Sequence, residues 1–301
     1  MKQAELIQQL DSYFAIEAFD ESVHWKPLLS EKDAQVLGRY ATPAFLAGTW
    51  NGLMLNNAER IDRVYTVVFP TQDVIDTIIA KEVARGAQGA LIFAHHLLNF
   101  NAEKRRYILM PEEQIEELSE HRVSFYLCHA PLDCHAEIST ATALANMLGL
   151  REQARFAPYY GGLAGVHGMM GKPITFQSFA QRLAKVTDVS YLRYDQVRHN
   201  GLPVQHVAVV SGNGASLELL QKAYELGCDT YVTGQWWQYV DHPDAEAQRK
   251  TMREFVAANP MNLLGVSRYA TEMVVMRDQM PGWFRAHGIE TEFVPQDDPW
   301  A

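Results

Sequence analysis

Two adjacent histidines, His95 and His96, close the apolar run Gly89-Ala-Leu-Ile-Phe-Ala, and a third, His129, closes the run Val123-Ser-Phe-Tyr-Leu-Cys. Short apolar runs of this kind read as buried strands, and α/β proteins present their chemistry at the carboxyl ends of such strands. Imidazole is the commonest metal ligand and titrates nearest neutrality, so histidines at strand ends suit metal binding or proton transfer. Asp133, four residues after His129, adds a carboxylate to the second strand end, and imidazole with carboxylate is a donor set for zinc, manganese or iron. The His95-His96 dipeptide by itself fits two readings. A backbone turn at the strand end would present both rings to one cavity, where two ions side by side would fit. Equally, a polar pair would simply cap the strand.

The elements around these residues are α/β in character. Residues 63–69 (RVYTVVF) are strand-like; from Asp73 to Arg85, Val74, Ile75, Ile78, Ile79 and Val83 share one helical face, and Gly86 ends the helix. The strand ending on His95 comes next, which makes a β-α-β unit, usually a right-handed parallel crossover. Residues 112–120 are acidic and predict a solvated helix before the strand that ends on His129. A helix from Ile138 to Leu148, stopped by Gly149, follows it. At the N-terminus, Ile7, Leu10 and Phe14 mark one face of a helix. Residues 17–47 are weakly periodic, broken by Trp25, Pro27 and Pro43, and carry no readable role. The turn from Gly48 leads into a short strand, with Trp50 a core aromatic.

The second half echoes the first. Residues 204–210 (VQHVAVV) read as a strand, Ser211-Gly-Asn-Gly-Ala-Ser216 as a turn, residues 217–226 as a helix stopped by Gly227, and residues 228–234 as the next strand. This repeats the order seen over residues 63–94, so two related α/β lobes are expected. A glycine-rich turn at a helix N-terminus is able to hold an anion, yet here it reads first as a tight structural turn. Between the halves, residues 151–171 read as loop and short strand, with His167 a loop histidine without a role. Thr175 caps a helix that carries Phe176, Phe179, Leu183 and Val186 on one side. After Trp236-Trp237, residues 241–258 read as a polar helix, residues 263–272 as the opening of the last helix, and residues 289–294 as a closing strand.

Composition narrows the function classes. The 301 residues are 48% apolar, enough for a real core, and 36 acidic against 26 basic residues leave a net charge of −10. No basic field exists to draw a nucleic acid or an anionic membrane. Cys128, Cys134 and Cys228 are too few and too irregular for a disulfide framework and form no CxxC pair, which points to a reducing compartment. The first residues lack a signal-peptide core, and no apolar run reaches the ~20 residues of a membrane span. A cytoplasmic protein is the expectation.

Together, Trp50-Asn-Gly-Leu53, Ala94-His-His96, His129-Ala-Pro-Leu-Asp133, Ser211-Gly-Asn-Gly214, Asp229-Thr-Tyr-Val-Thr-Gly234 and Arg268-Tyr-Ala-Thr-Glu272 resemble the GTP cyclohydrolase type 2 homologues, also called Nif-three-like dinuclear-metal proteins. The resemblance runs nearly end to end and makes residues 1–301 a single family unit. It implies an α/β fold of two related lobes with mixed sheets flanked by helices, in the short form without an inserted domain. The lobes would be approximately residues 1–150 with 260–301, and residues 151–259. It also implies a ring-shaped homohexamer and a pair of divalent ions. Carried over, His95 and His96 would each bind one ion, Asp133 would join the His96 ion and Glu272 would bridge. His129 would be a further ligand or the proton-transfer group. The family has histidine where this chain has Arg268, one helical turn before Glu272; arginine carries no lone pair and cannot ligate. Phe69-Pro70 likewise stands where relatives often carry an acidic residue. The expectation is therefore one divalent ion per chain (zinc, manganese or iron), with Arg268 a clamp for an anionic group of a small-molecule substrate. Two functions follow: a metal-dependent cyclohydrolase or nucleotide or phosphoester hydrolase, and a non-catalytic hexameric scaffold that binds metal or a partner.

Overall fold

The computed structural model describes residues 1–101, 106–190, 192, 197–234 and 245–300. Trp236, Trp237 and the first residues of the 241–258 segment lie outside them. The chain divides into two compact units, Met1–His135 with Met276–Asp297, and Ala136–Val275 with Asp298–Ala301. The strands in chain order are β1 (Gly52–Leu55), β2 (Arg63–Val67), β3 (Ala90–Ala94), β4 (Asn99–Asn101), β5 (Arg106–Ile108), β6 (Val123–Leu127), β7 (Leu150–Tyr159), β8 (Gly162–Ile174), β9 (Val204–Val210), β10 (Thr230–Thr233), β11 (Asn262–Gly265) and β12 (Glu290–Phe293). They form two five-stranded sheets and one small hairpin, β4 with β5. Both large sheets are mixed and helices accompany them in the chain, so the fold is the α/β architecture of two mixed-sheet lobes expected above.

In the first unit the sheet order is β1-β6-β3-β2-β12, parallel throughout except where β1 runs against β6. β3 and β6 are buried at every position, as their unbroken apolar sequence requires of central parallel strands. The helix Gln72–Arg85 is opened by the Thr71 side chain, which accepts from the Val74 N–H, and closed by Gly86 at φ 81°, a left-handed cap that glycine adopts without a Cβ penalty. Its inner face differs from the sequence pattern at one position. Val83 is 54% exposed while Glu82 is fully buried, because the Tyr65 hydroxyl donates to Glu82 at 2.7 Å and Arg85 pairs with it; a buried carboxylate is tolerable only with such partners.

The N-terminal helix Gln3–Tyr13 buries Leu6 and Leu10 and is followed by buried Phe14, while Ile7 is half-buried at its margin. On this helix Asp11 accepts from the Tyr126 hydroxyl at 2.7 Å. Burial pushes its carboxyl above the usual 3.8 and Glu17 adds to the shift, against the opposing Tyr126 hydrogen bond. A raised folded pKa means that the fold holds the proton more tightly than the unfolded chain does, so this group costs stability as pH rises through 3.8 and beyond. Asp11→Asn keeps an acceptor for Tyr126 and removes the charge. Its melting temperature should exceed the parent's at neutral pH, with the gain vanishing below pH 3.8; a gain that persists in acid would contradict this origin.

The second unit has the order β11-β10-β9-β8-β7, with β9, β10 and β11 parallel and β7, β8 and β9 antiparallel. Two expectations are corrected here. Residues 150–174 are not mostly loop but the long hairpin β7–β8, so His167 stands in a strand. Its glycines are packing glycines, since a Cβ at Gly165 would lie 2.8 Å from the Phe156 ring and one at Gly168 2.8 Å from the Arg151 carbonyl oxygen. Residues 262–265 form β11 rather than the opening of a helix, and the helix begins at Arg268. With the helix Phe176–Val186 these strands fill the 150–186 stretch, leaving no inserted domain there.

The echo between the halves is structural. β2, a helix, Gly86 at φ 81° and β3 are matched by β9, the helix Leu217–Glu225, Gly227 at φ 80° and β10. The turn between β9 and its helix is tightly packed. A Cβ on Gly214 would lie 2.5 Å from both the Val210 carbonyl oxygen and Thr233 Oγ1, and the Tyr231 hydroxyl donates to the Gly214 carbonyl at 2.7 Å. Gly214→Ala should therefore destabilise the protein by about 1–3 kcal/mol through overpacking, read as a lower urea midpoint at unchanged slope; a neutral substitution would mean that the turn has slack.

Candidate metal centre

The β-ladder of the first unit runs on past β3 to deliver the paired histidines. The His95 N–H donates to the Val67 carbonyl at 3.1 Å and the His96 N–H to the Val68 carbonyl at 2.9 Å. On the neighbouring strand, the Cys128 N–H donates to Ala94, and His129 then caps the short helix Ala130–Asp133. The His129 N–H is held by Asn51 Oδ1 at 2.9 Å. All three rings are buried, and one donor nitrogen from each lies within 4.8 Å of the others. Both rings of the dipeptide therefore lie together with that of His129.

Ring orientation follows from the partners. His95 Nδ1 lies 3.1 Å from the Cys128 carbonyl oxygen, and a carbonyl only accepts, so Nδ1 carries the proton and Nε2 of the neutral ring the lone pair. His129 Nδ1 lies 2.6 Å from Glu21 Oε1, which sets the same tautomer. The His95 Nε2 lone pair is 3.6 Å from Asp133 Oδ1. Two electron-rich atoms at that separation are favourable only with a cation beside them, a proton or a metal ion. The structure thus sets Asp133 next to His95. His96 lies flat on Phe69, with centroids 4.0 Å apart and planes 5° apart, and Trp25 packs edge-on against His96 and His129. This apolar wall lowers the local dielectric and strengthens whatever charge sits inside.

Glu21 is the functional residue that sequence reasoning missed. It is completely buried, and its second oxygen accepts from Asn51 Nδ2 at 2.8 Å and from the Ala130 N–H at 2.9 Å. Burial alone would push its carboxyl up; the adjacent His129, with hydrogen bonds from His129, Asn51 and Ala130, outweighs burial and holds it below the usual range. Glu21 is therefore an anion that orients His129. The backbone around it is irregular and leads into the single helical turn Ser22–Trp25, which leaves no periodic signal. Its one sequence cue is indirect: the Trp50-Asn51-Gly52 motif supplies the asparagine that ties Glu21 to His129.

Arg268 and Glu272 belong to the second unit. Both lie on the helix Arg268–Val274, capped by Ser267, and Arg268 Nε donates to Glu272 Oε1 at 3.1 Å. The buried Glu272 carboxylate packs against Gly212, where a Cβ would come within 2.5 Å of Oε1 and φ is +64°. The glycine turn thus makes room for an acid as well as for the sheet. No helix among the described residues is long and apolar enough to cross a membrane.

Comparison with known proteins agrees with this fold. A protein of Pyrococcus abyssi described as a GTP cyclohydrolase 1 type 2 homolog is 28% identical over 247 residues, covering 81% of this chain and 88% of its own length. A Deinococcus radiodurans protein of the same description is 29% identical over 202 residues, 66% of this chain and 69% of its own. Among solved structures, one from Thermus thermophilus superposes with a TM-score of 0.66 at 22% identity over 99% of both chains. A hypothetical protein of Staphylococcus aureus gives 0.64 at 16% identity, over 98% of this chain and 97% of the other. The family model described as Duf34/NIF3 (NGG1p interacting factor 3) matches residues 34–281, and the chain belongs to that family.

Proposed function

We propose that the protein binds one divalent metal ion through His95, His96, His129 and Asp133 and uses it to hydrolyse a small nucleotide-like or phosphoester substrate. The observation that carries this reading is the tautomer setting: the acceptors on the Nδ1 sides of His95 and His129 direct both Nε2 lone pairs into one buried cluster with His96. Imidazoles oriented by carbonyl and carboxylate partners are the usual environment of metal-binding histidines. The donor set suits zinc, manganese or iron. When bound, such an ion supplies Lewis acidity and brings a water molecule's pKa toward neutrality.

The chain's own residues set the rest. Glu21 holds the His129 proton at Nδ1 and so keeps the Nε2 lone pair turned into the cluster as a ligand, and its negative charge raises the donor strength of that ring. Asp133 adds negative charge beside His95, and Phe69 and Trp25 keep bulk water from the rings. Glu272 is engaged by Arg268 on its own helix, so the ligand set we propose is confined to the first unit, at one ion per chain.

The test is turnover of a panel of nucleotides and phosphoesters by protein stripped with chelator and then reloaded with zinc, manganese or iron. Activity should disappear on stripping and return on reloading. Reloaded protein that binds the ion and turns over nothing in the panel would sink the hydrolase and favour the non-catalytic scaffold.

A further inference from the structure

A second group of metal-type donors lies wholly within the second unit. His167 on β8, His206 on β9 and Cys228, just before β10, place one donor atom each within 4.8 Å of one another. The register explains the pairing. His167 is opposite Ala208 and Met169 opposite His206, so the two histidines are diagonal neighbours on one face of the sheet. His167 Nδ1 lies 2.9 Å from His206 Nε2. His206 Nδ1 lies 3.1 Å from the Gly227 carbonyl oxygen, which fixes the proton on Nδ1 and leaves the Nε2 lone pair pointing into the cluster.

A hydrogen bond between two strand histidines needs no ion, and that is the plainer account of His167 and His206 alone. What it leaves unexplained is the third donor. The chain turn that orients His206 through the Gly227 carbonyl also supplies the Cys228 sulfur. Asp229, the next residue, receives the His206 N–H at 2.8 Å and the Gln205 N–H, fixing the backbone from which His206 projects. Orienting partner, anchoring carboxylate and thiol thus come from three consecutive residues, the arrangement of a supported ligand set. Cys228 is buried while both histidines are half-exposed, so the group has an apolar side at the sulfur and an open side where water can complete four-coordination.

We infer that His167, His206 and Cys228 form a second metal site, for a thiophilic divalent ion of the zinc type, distinct from the three buried histidines. Two imidazole nitrogens and one thiolate suit zinc or its spectroscopic surrogate cobalt, and disfavour magnesium and calcium. On binding, two metal–nitrogen bonds and one metal–sulfur bond form. The Cys228 thiol proton leaves to solvent, and the His167 proton moves from Nδ1 to Nε2, which frees Nδ1 to ligate.

The test is titration of chelator-stripped full-length protein with cobalt(II), read by absorption. A thiolate-to-cobalt charge-transfer band should grow and saturate, at one equivalent per chain in His96→Ala and at no more than two in the parent, be bleached by zinc and vanish in Cys228→Ser. His167→Gln, a change on the half-exposed sheet surface, should weaken the band-forming affinity about 10–100-fold, taking the loss of an outer-sphere partner as the lower guide, with an unchanged circular dichroism spectrum. Absence of the band in the parent protein, its survival in Cys228→Ser, or unaltered affinity in His167→Gln would overturn the proposal.

Discussion

His96→Ala should purify without the ion of the first unit. The measurement is elemental analysis of chelator-free preparations in a Cys228→Ser background, which removes the thiolate donor of the second unit from the count. The parent in that background should carry at most one ion per chain, and the His96→Ala protein close to none. Losing a ligand should cost more than the about 10–100-fold typical of an outer-sphere partner. Stability is a separate readout, because His96 also stacks on Phe69; that contact is worth about 0.5–1.5 kcal/mol, enough to lower the melting temperature without unfolding the protein. His96→Phe restores an aromatic ring and not the nitrogen, so it should regain part of the stability and none of the metal. A full ion retained in both variants would remove His96 from the site.

Glu21→Gln should weaken metal binding about 10–100-fold while changing only one heavy atom. The Asn51 and Ala130 N–H groups both donate to one Glu21 oxygen, so the glutamine carbonyl must take that position. Its NH₂ group then faces His129 Nδ1. An amide nitrogen donates and cannot accept, so the imidazole must carry its lone pair at Nδ1 and its proton at Nε2, and the atom that faced His95 and His96 is no longer a donor to metal. Glu21→Ala is predicted to be worse for folding, because it strands a buried ring and two N–H donors, at about 1–3 kcal/mol for each unsatisfied group. Isothermal titration with zinc distinguishes the two effects; equal affinity in Glu21→Gln and parent would show that the His129 tautomer does not matter to binding.

Much of the first unit's site is legible in the sequence because it is delivered by regular elements. β3 and β6 are apolar throughout and end directly in the histidines, and Asp133 lies one helical turn past His129, so local spacing alone brings them near each other. Glu21 is invisible to that logic. It reaches His129 across 108 positions, from irregular backbone with neither periodicity nor a flanking strand. The same limit explains the second unit. Its glycines look like loop residues until the strand opposite each is known, because Gly165 and Gly168 are required by cross-strand neighbours, and His167 between them reads as a loop residue for the same reason. At Val83 the helical period was right but the buried position belongs to Glu82, since Tyr65 and Arg85 make a carboxylate acceptable there. Fold class survives such errors because it depends on the order of elements, whereas a site depends on single side chains.

The parallel pairing of β12 with β2 has a consequence in time. As the chain leaves the ribosome, β1, β2, β3 and β6 are all available within the first 127 residues, and His129, two residues later, completes the histidine cluster. β2 nevertheless keeps an unpaired row of N–H and C=O groups until residues 290–293 have been made, after the whole of the second sheet. Pairing across more than 200 residues is slow to form, and an open strand edge invites pairing with another chain. The nascent protein therefore passes through a long interval in which its clustered histidines are in place and its sheet is not closed.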